Sequence, residues 1–97
     1  MNDMKLLMIV VDTQCREELE VLMQRMEVTG YTEIPGVHGI GATGIRMGSS
    51  AFPKTSSLFF TVIEGDKVNE LKEALCSYCD ACERHMKMIQ WAIEEVV

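Results

Sequence analysis

Four side chains late in the chain stand at uniform spacing: Cys76, Cys79, Cys82 and His85, C-x2-C-x2-C-x2-H. Thiolate and imidazole are preferred ligands of zinc and other soft metals, and two-residue gaps are common in metal turns. On a continuous helix each step of three residues drifts by roughly 60° from the last, so four ligands could not meet on one ion. Convergence requires the helix to end near Cys79 and leave Cys82 and His85 on a following loop. A plainer reading makes Cys76 and Cys79 small core residues, since cysteine is often buried for packing alone. A redox reading makes the cluster a switchable disulfide, for instance Cys79 with Cys82. Cys15 sits on an apolar stripe and reads as core.

A second group of residues suits an anion. Glycine occurs at 36, 39, 41, 44 and 48. Such a backbone approaches a ligand closely and offers it amide groups. Arg46 and Lys87, with Arg84, supply cations, and His38 lies beside the glycines. The candidate ligand set is therefore Gly36, His38, Gly39, Gly41, Arg46 and Lys87. It is not a dinucleotide fingerprint, because no helix follows directly. The competing reading is a flexible loop whose glycines only permit turns, with His38 solvated. The eight methionines are scattered and read as packing residues.

The elements that must carry these groups follow from hydrophobic periodicity. Lys5 to Val11 is apolar almost throughout and reads as a strand covered on both faces. Asp12 or Thr13 caps a helix whose stripe is Cys15, Leu19, Leu22, Met23 and Met26, ending at Gly30. Tyr31 to Val37 is a weaker strand, interrupted by Pro35 and Gly36, that suits an edge. Residues 36–57 read as a long mobile loop, mobile at about 38–56, and loops of that length are usually functional. Leu58 to Glu64 resumes a strand, Gly65-Asp66 makes a turn and cap, and Val68, Leu71, Leu75, Tyr78 and Cys79 line a second helix. Met88 to Val97 closes as a strand.

That order predicts one domain over residues 1–97 of α+β class: a ferredoxin-like βαββαβ arrangement, two helices on one face of a four-stranded antiparallel sheet. Phe59, Thr61 and Ile63 alternate with Leu58, Phe60 and Val62, and Ile89, Trp91 and Ile93 with Met88, Gln90 and Ala92. Both sheet faces are thus mostly apolar. The helices cover one, and monomers rarely expose an apolar sheet of that size, so the other is expected to be buried between subunits.

Composition excludes several classes. Of 97 residues, 47% are hydrophobic, enough for a core, and the net charge is −6. That charge argues against nucleic-acid partners and against anionic membranes. The longest apolar run, Leu6 to Val11, falls far short of the roughly 20 residues a membrane span needs. The same run, flanked by Asp3 and Asp12, is wrong for a secretory signal. The chain is expected to be cytoplasmic, its cysteines thiols, metal ligands or redox groups rather than structural disulfides. There is no serine–histidine–carboxylate series in a recognisable context and no Walker-type loop, so an enzyme is not expected.

Three stretches, Lys5-Leu6-Leu7, Gly30-Tyr31-Thr32-Glu33-Ile34-x-Gly36 and Trp91-Ala92-Ile93-Glu94-Glu95-Val96, together with the glycine-rich excursion, resemble the PII-like signalling proteins over nearly the whole chain. The CutA family shares their trimeric fold. The resemblance implies a homotrimer with inward-facing sheets. It also implies a small anionic effector, typically an adenine nucleotide, bound between subunits. The 39–56 loop would then change shape and engage a regulated protein, a transporter or an enzyme. The chain also departs from the pattern. The loop is shorter and lacks tyrosine. Cys82 to Lys87 stands where a second glycine-rich loop is usual, and only Lys87 matches the basic phosphate ligands. These departures imply a divergent member rather than a nitrogen-type sensor of ATP and 2-oxoglutarate.

Overall fold

In a computed structural model that describes residues 3–28, 30–41, 44–51, 53–78 and 86–97, the first apolar run forms β1 (Met4–Asp12). Its branched residues alternate between two environments. Leu7, Ile9 and Val11 are fully buried, whereas Leu6, Met8 and Val10 are half-buried on the opposite side. Asp12 ends the strand, and its carboxylate accepts the Gln14 amide at 2.9 Å, starting a 3-10 turn (Thr13–Cys15). Helix α1 (Arg16–Arg25) follows, with Glu17 and Glu18 at its positive end.

The helix ends before Gly30, where the sequence placed its stop. Glu27 adopts φ 58°, its amide bonds to the Gln24 carbonyl, and the Val28 amide reaches back to Met23 at 3.0 Å. This is a Schellman closure with glutamate in the left-handed position that glycine normally takes. The chain then enters β2 (Thr32–Val37), the short hairpin strands β3 (Gly39–Gly41) and β4 (Gly44–Arg46), and the long β5 (Ser56–Glu64). Helix α2 (Gly65–Tyr78) starts on Gly65 itself rather than after a Gly65-Asp66 turn, and the Gly65 amide bonds to the Asp3 carbonyl at 2.7 Å. The last strand, β6 (Met86–Ala92), begins and ends earlier than Met88 to Val97, so Lys87 lies within it.

The main sheet has the order β2-β5-β1-β6, every pair antiparallel. The α+β expectation of two helices and a four-stranded antiparallel sheet holds. Leu7, Ile9 and Val11 of β1 and Phe59 and Ile63 of β5 pack under Leu19, Leu22 and Met23 of α1 and Val68, Leu71 and Leu75 of α2. From β6, Met86 and Met88 join this core. The other sheet face carries Leu6, Met8, Val10, Leu58, Phe60 and Val62, flanked by Ile89 and Trp91, which are 37% and 45% exposed. Both faces are apolar, and the helices cover one.

Two expectations need correction. The excursion after β2, read as loop throughout, contains two paired strands, β3 and β4, with Gly39 opposite Arg46 and Ile40 opposite Ile45. Glycines hide such a strand in the sequence because ladder bonds belong to the backbone, not the side chains. The cysteines were expected to be thiols, metal ligands or redox groups rather than structural disulfides, with a switchable bond such as Cys79 with Cys82 as the redox case; Cys15, read as a core residue, and Cys76 are both disulfide-bonded. Cys15 is buried as expected. The helices run in opposite senses across the sheet, which brings the start of α1 and the end of α2 to the same end.

Candidate functional site

The β2–β5 register shifts between Ile34 and Val37, where Pro35 contributes no donor and Gly36 takes φ 67°. This irregularity turns the chain out of the sheet into the β3–β4 hairpin. Ile40 and Ile45 face each other across it and stand 71% and 38% exposed. Gly48 (φ 62°) closes the base. Its left-handed backbone favours glycine, and a Cβ there would lie 3.0 Å from His38 Nε2 and 3.0 Å from Thr55 Cγ2, so a larger residue would be strained and would push on both side chains. The Gly48 amide donates to the Lys54 carbonyl at 3.2 Å. The return limb is then fastened to the end of β1: the Thr13 amide donates to the Thr55 carbonyl at 3.2 Å, and the two threonine hydroxyls share a 2.7 Å bond.

Most of the residues expected from the sequence to bind an anion lie in this region. Gly36 lies at the bulge, His38 packs on Gly48, Gly39 and Gly41 lie in β3, and Arg46 stands opposite Gly39. Lys87 is apart from them. It pairs with Val10 on β6 and, because Met86 and Met88 face the core, projects from the uncovered sheet face. The hairpin and Lys87 share one end of the sheet but occupy opposite edges, three strand spacings or roughly 14 Å apart. One chain does not bring them together.

Sequence reasoning missed a cleft on the other half of β2. A cavity of about 430 Å³ is lined by Leu6, Gly30, Tyr31, Thr32, Phe60, Thr61 and Val62. Its wall is firmly held. The Thr61 hydroxyl donates to the Gly30 carbonyl at 2.6 Å, and the Tyr31 ring leans on Phe59 at 5.6 Å between centroids. One strand position further, Glu33 takes two bonds from the Arg16 guanidinium, at 2.6 and 2.8 Å, while Arg16 also reaches Glu20. The bond from Arg16 holds the Glu33 carboxyl below its ordinary range, and the Arg16 guanidinium is correspondingly harder to deprotonate. Burial pushes the Tyr31 phenol upward, helped by Glu20 and Glu33. The signal was present in Gly30-Tyr31-Thr32, but the cavity needs three segments distant in sequence.

The proposed metal set fares differently. Cys79, Cys82 and His85, with Arg84, lie outside the described residues. Cys76 is disulfide-bonded and so offers no thiolate, which removes it as a metal ligand in this state. Among the described residues no group of three histidine, cysteine or carboxylate side chains is placed to hold a metal ion. No helix among them is long and apolar enough to cross a membrane.

Charge is unevenly spread. Between Ile34 and Ile63 there is no acidic residue, and Arg46 and Lys54 are the lysine or arginine residues present, so the hairpin segment is basic in an acidic chain.

Comparison with known proteins gives a consistent picture. Residues 4–96 match the profile of the nitrogen regulatory protein P-II. No curated protein sequence matches significantly. Among solved structures, CPII from Thiomonas intermedia K12, a nitrogen regulatory PII-like protein bound to ADP, AMP and bicarbonate, is similar with TM-score 0.67 and 22% identity, covering 93% of this chain and 89% of that one. A DUF3240 family protein from Shewanella baltica OS155 gives TM-score 0.72 at 14% identity, with 98% and 94% covered. Arabidopsis thaliana PII bound to citrate gives TM-score 0.69 at 11% identity, with 95% and 78% covered.

Proposed function

Since the chain belongs to the nitrogen regulatory protein P-II family, we propose that it is a cytoplasmic regulatory protein, not an enzyme, in which a small anionic effector controls binding to another protein. The observation that carries this reading is the uncovered apolar sheet face, from Phe60 through Met8 to Ile89 and Trp91. A face of that kind calls for burial, and three copies closing on a shared axis bury it. Each copy, one domain over residues 1–97, then contributes unlike edges to its neighbours, its β2 edge meeting the β6 edge of the next. That is the arrangement that unites groups one chain holds apart.

In the assembly, the cleft beside Gly30–Thr32 takes the flat base of an adenine nucleotide. Its volume and mostly apolar walls suit such a ring. The anionic part meets the backbone amides of Gly36, Gly39 and Gly41 with His38, Arg46 and Lys87. The ADP and AMP bound by the Thiomonas protein favour this ligand class, and bicarbonate, also present there, is the second anion to test. Effector binding biases the 39–56 loop, with the β3–β4 hairpin it contains, between arrangements to which it has unequal affinity, as any ligand-controlled switch requires. The exposed Ile40–Ile45 pair, in a segment without acidic residues, is the surface offered to the regulated transporter or enzyme. Titration calorimetry with ATP, ADP, AMP and cyclic AMP, each with and without bicarbonate, tests the reading. Saturable heat with at least one nucleotide is expected; neither heat nor thermal shift with any would overturn it.

A further inference from the structure

Cys15 occupies the N-cap of α1, where Ser, Thr, Asp or Asn normally accepts a backbone amide, yet its side chain makes no capping bond. It is 8% exposed and disulfide-bonded. Cys76, in the last turn of α2, is half-buried against the same core and also disulfide-bonded. Among the described residues no cysteine is free. The other cysteines of the chain all fall between 76 and 82. Any bond from Cys15 within the chain therefore ties the start of α1 to the end of α2 or to the few residues after it.

What lies on either side of that tie gives it a role. Two residues before Cys15, Thr13 holds the hairpin's return limb through both bonds to Thr55. After α2 the chain enters β6, where Met86 pairs with Val11 and Lys87 with Val10. A crosslink at Cys15 thus lies two residues from the contact that holds the hairpin base.

We propose that Cys15 and Cys76 belong to a redox clasp whose closure holds the hairpin base in place, making the regulatory site responsive to thiol–disulfide balance. The clasp itself stands on the fold; only its consequence for effector binding rests on the function proposed above. A low-molecular-weight disulfide such as oxidised glutathione closes it. One cysteine thiolate attacks that disulfide and expels a glutathione thiolate, which takes up the proton released. A second cysteine thiolate then displaces the remaining glutathione. Two cysteine thiols and one external disulfide become one protein disulfide and two external thiols. Reducing thiols reverse both steps.

The full chain, equilibrated in oxidised and then reduced glutathione, is alkylated and mapped by mass spectrometry, with amide exchange followed in both forms. Cys15 and Cys76 should resist alkylation when oxidised and label when reduced. Reduction should lower the melting temperature by about 10 °C or more, as for loss of a disulfide in a domain of this size. It should also speed exchange of the Thr13 and Gly48 amides by about tenfold or more. Cys15→Ser should abolish the redox dependence of both readings, and Cys15→Ala guards against an effect of the new hydroxyl. Alkylation of Cys15 and Cys76 under oxidising conditions, or equal exchange at Thr13 and Gly48 in the two forms, would overturn the proposal. Absence of nucleotide binding in both forms would count against the function proposed above while leaving this test decisive.

Discussion

Leu6 and Trp91 stand opposite one another in the β1–β6 ladder, on the face of the sheet that neither helix covers. Trp91 is the chain's single tryptophan, so its emission reports directly on what covers that face. At micromolar concentration the emission maximum should lie to the blue of a solvated indole and move to the red on dilution or on Ile89→Glu substitution. Trp91→Ala should weaken association by about 2 kcal/mol or more, the cost of removing a central aromatic anchor. Concentration-dependent fluorescence reads the first, and sedimentation reads the second, since Trp91→Ala lacks the fluorophore; a red, concentration-independent spectrum would mean an uncovered face.

The Thr61 hydroxyl and the Gly30 carbonyl, joined at 2.6 Å, hold the wall of the cleft. Thr61→Val keeps the shape of the side chain, removes the donor and leaves the carbonyl without it. The variant should unfold at lower denaturant, losing about 1–2 kcal/mol, and bind nucleotide several-fold more weakly. Urea melts and calorimetry on the same preparation separate the two effects.

Glu27 carries a positive φ that costs a non-glycine residue about 1 kcal/mol. Glu27→Gly relieves that strain, partly offset by the greater freedom of glycine in the unfolded chain, and should stabilise the protein by about 0.5–1 kcal/mol. Glu27→Ala should give no comparable gain. Chemical denaturation of the three proteins decides it.

Acid should weaken the fold through Glu33. Its carboxyl titrates below the ordinary range because Arg16 bonds the charged form. The folded state therefore binds this proton less readily than the unfolded one. The associated stability is fully present above the unfolded pKa of about 4.3 and is lost as pH falls through the lower folded value. Glu33→Gln should flatten that acid limb, read from denaturation midpoints between pH 7 and 3. Tyr31, shifted upward, acts at the other extreme: its contribution is intact below about pH 10 and fades as pH rises through the folded value.

The order of strands and helices was legible because burial follows period: Leu7, Ile9 and Val11 on one face, Val68, Leu71 and Leu75 along one stripe. The two-sided apolar character of β5 was equally plain from Leu58 to Ile63. What stayed hidden depended on backbone or on distant contacts. Gly39 and Gly41 pair as a strand through main-chain groups, leaving no side-chain pattern to read. Glu27 takes a backbone conformation its type disfavours, so Gly30 was the natural but mistaken stop. The bonded state of Cys15 and Cys76 depends on neighbours in space, which spacing along the chain cannot express. The cleft is built from Leu6, residues 30–32 and residues 60–62, and Lys87 was placed before a strand that in fact contains it. The Ile40–Ile45 pair became visible only when the hairpin's register placed the two residues opposite each other.

Sedimentation of the full chain at micromolar dilution bears most directly on the central claim. A single boundary at three times the chain mass of 10.9 kDa is predicted, persisting across a tenfold dilution and collapsing in Trp91→Glu. A stable, well-folded single copy would contradict it, because the cleft of one chain and the Lys87 of another would then never meet.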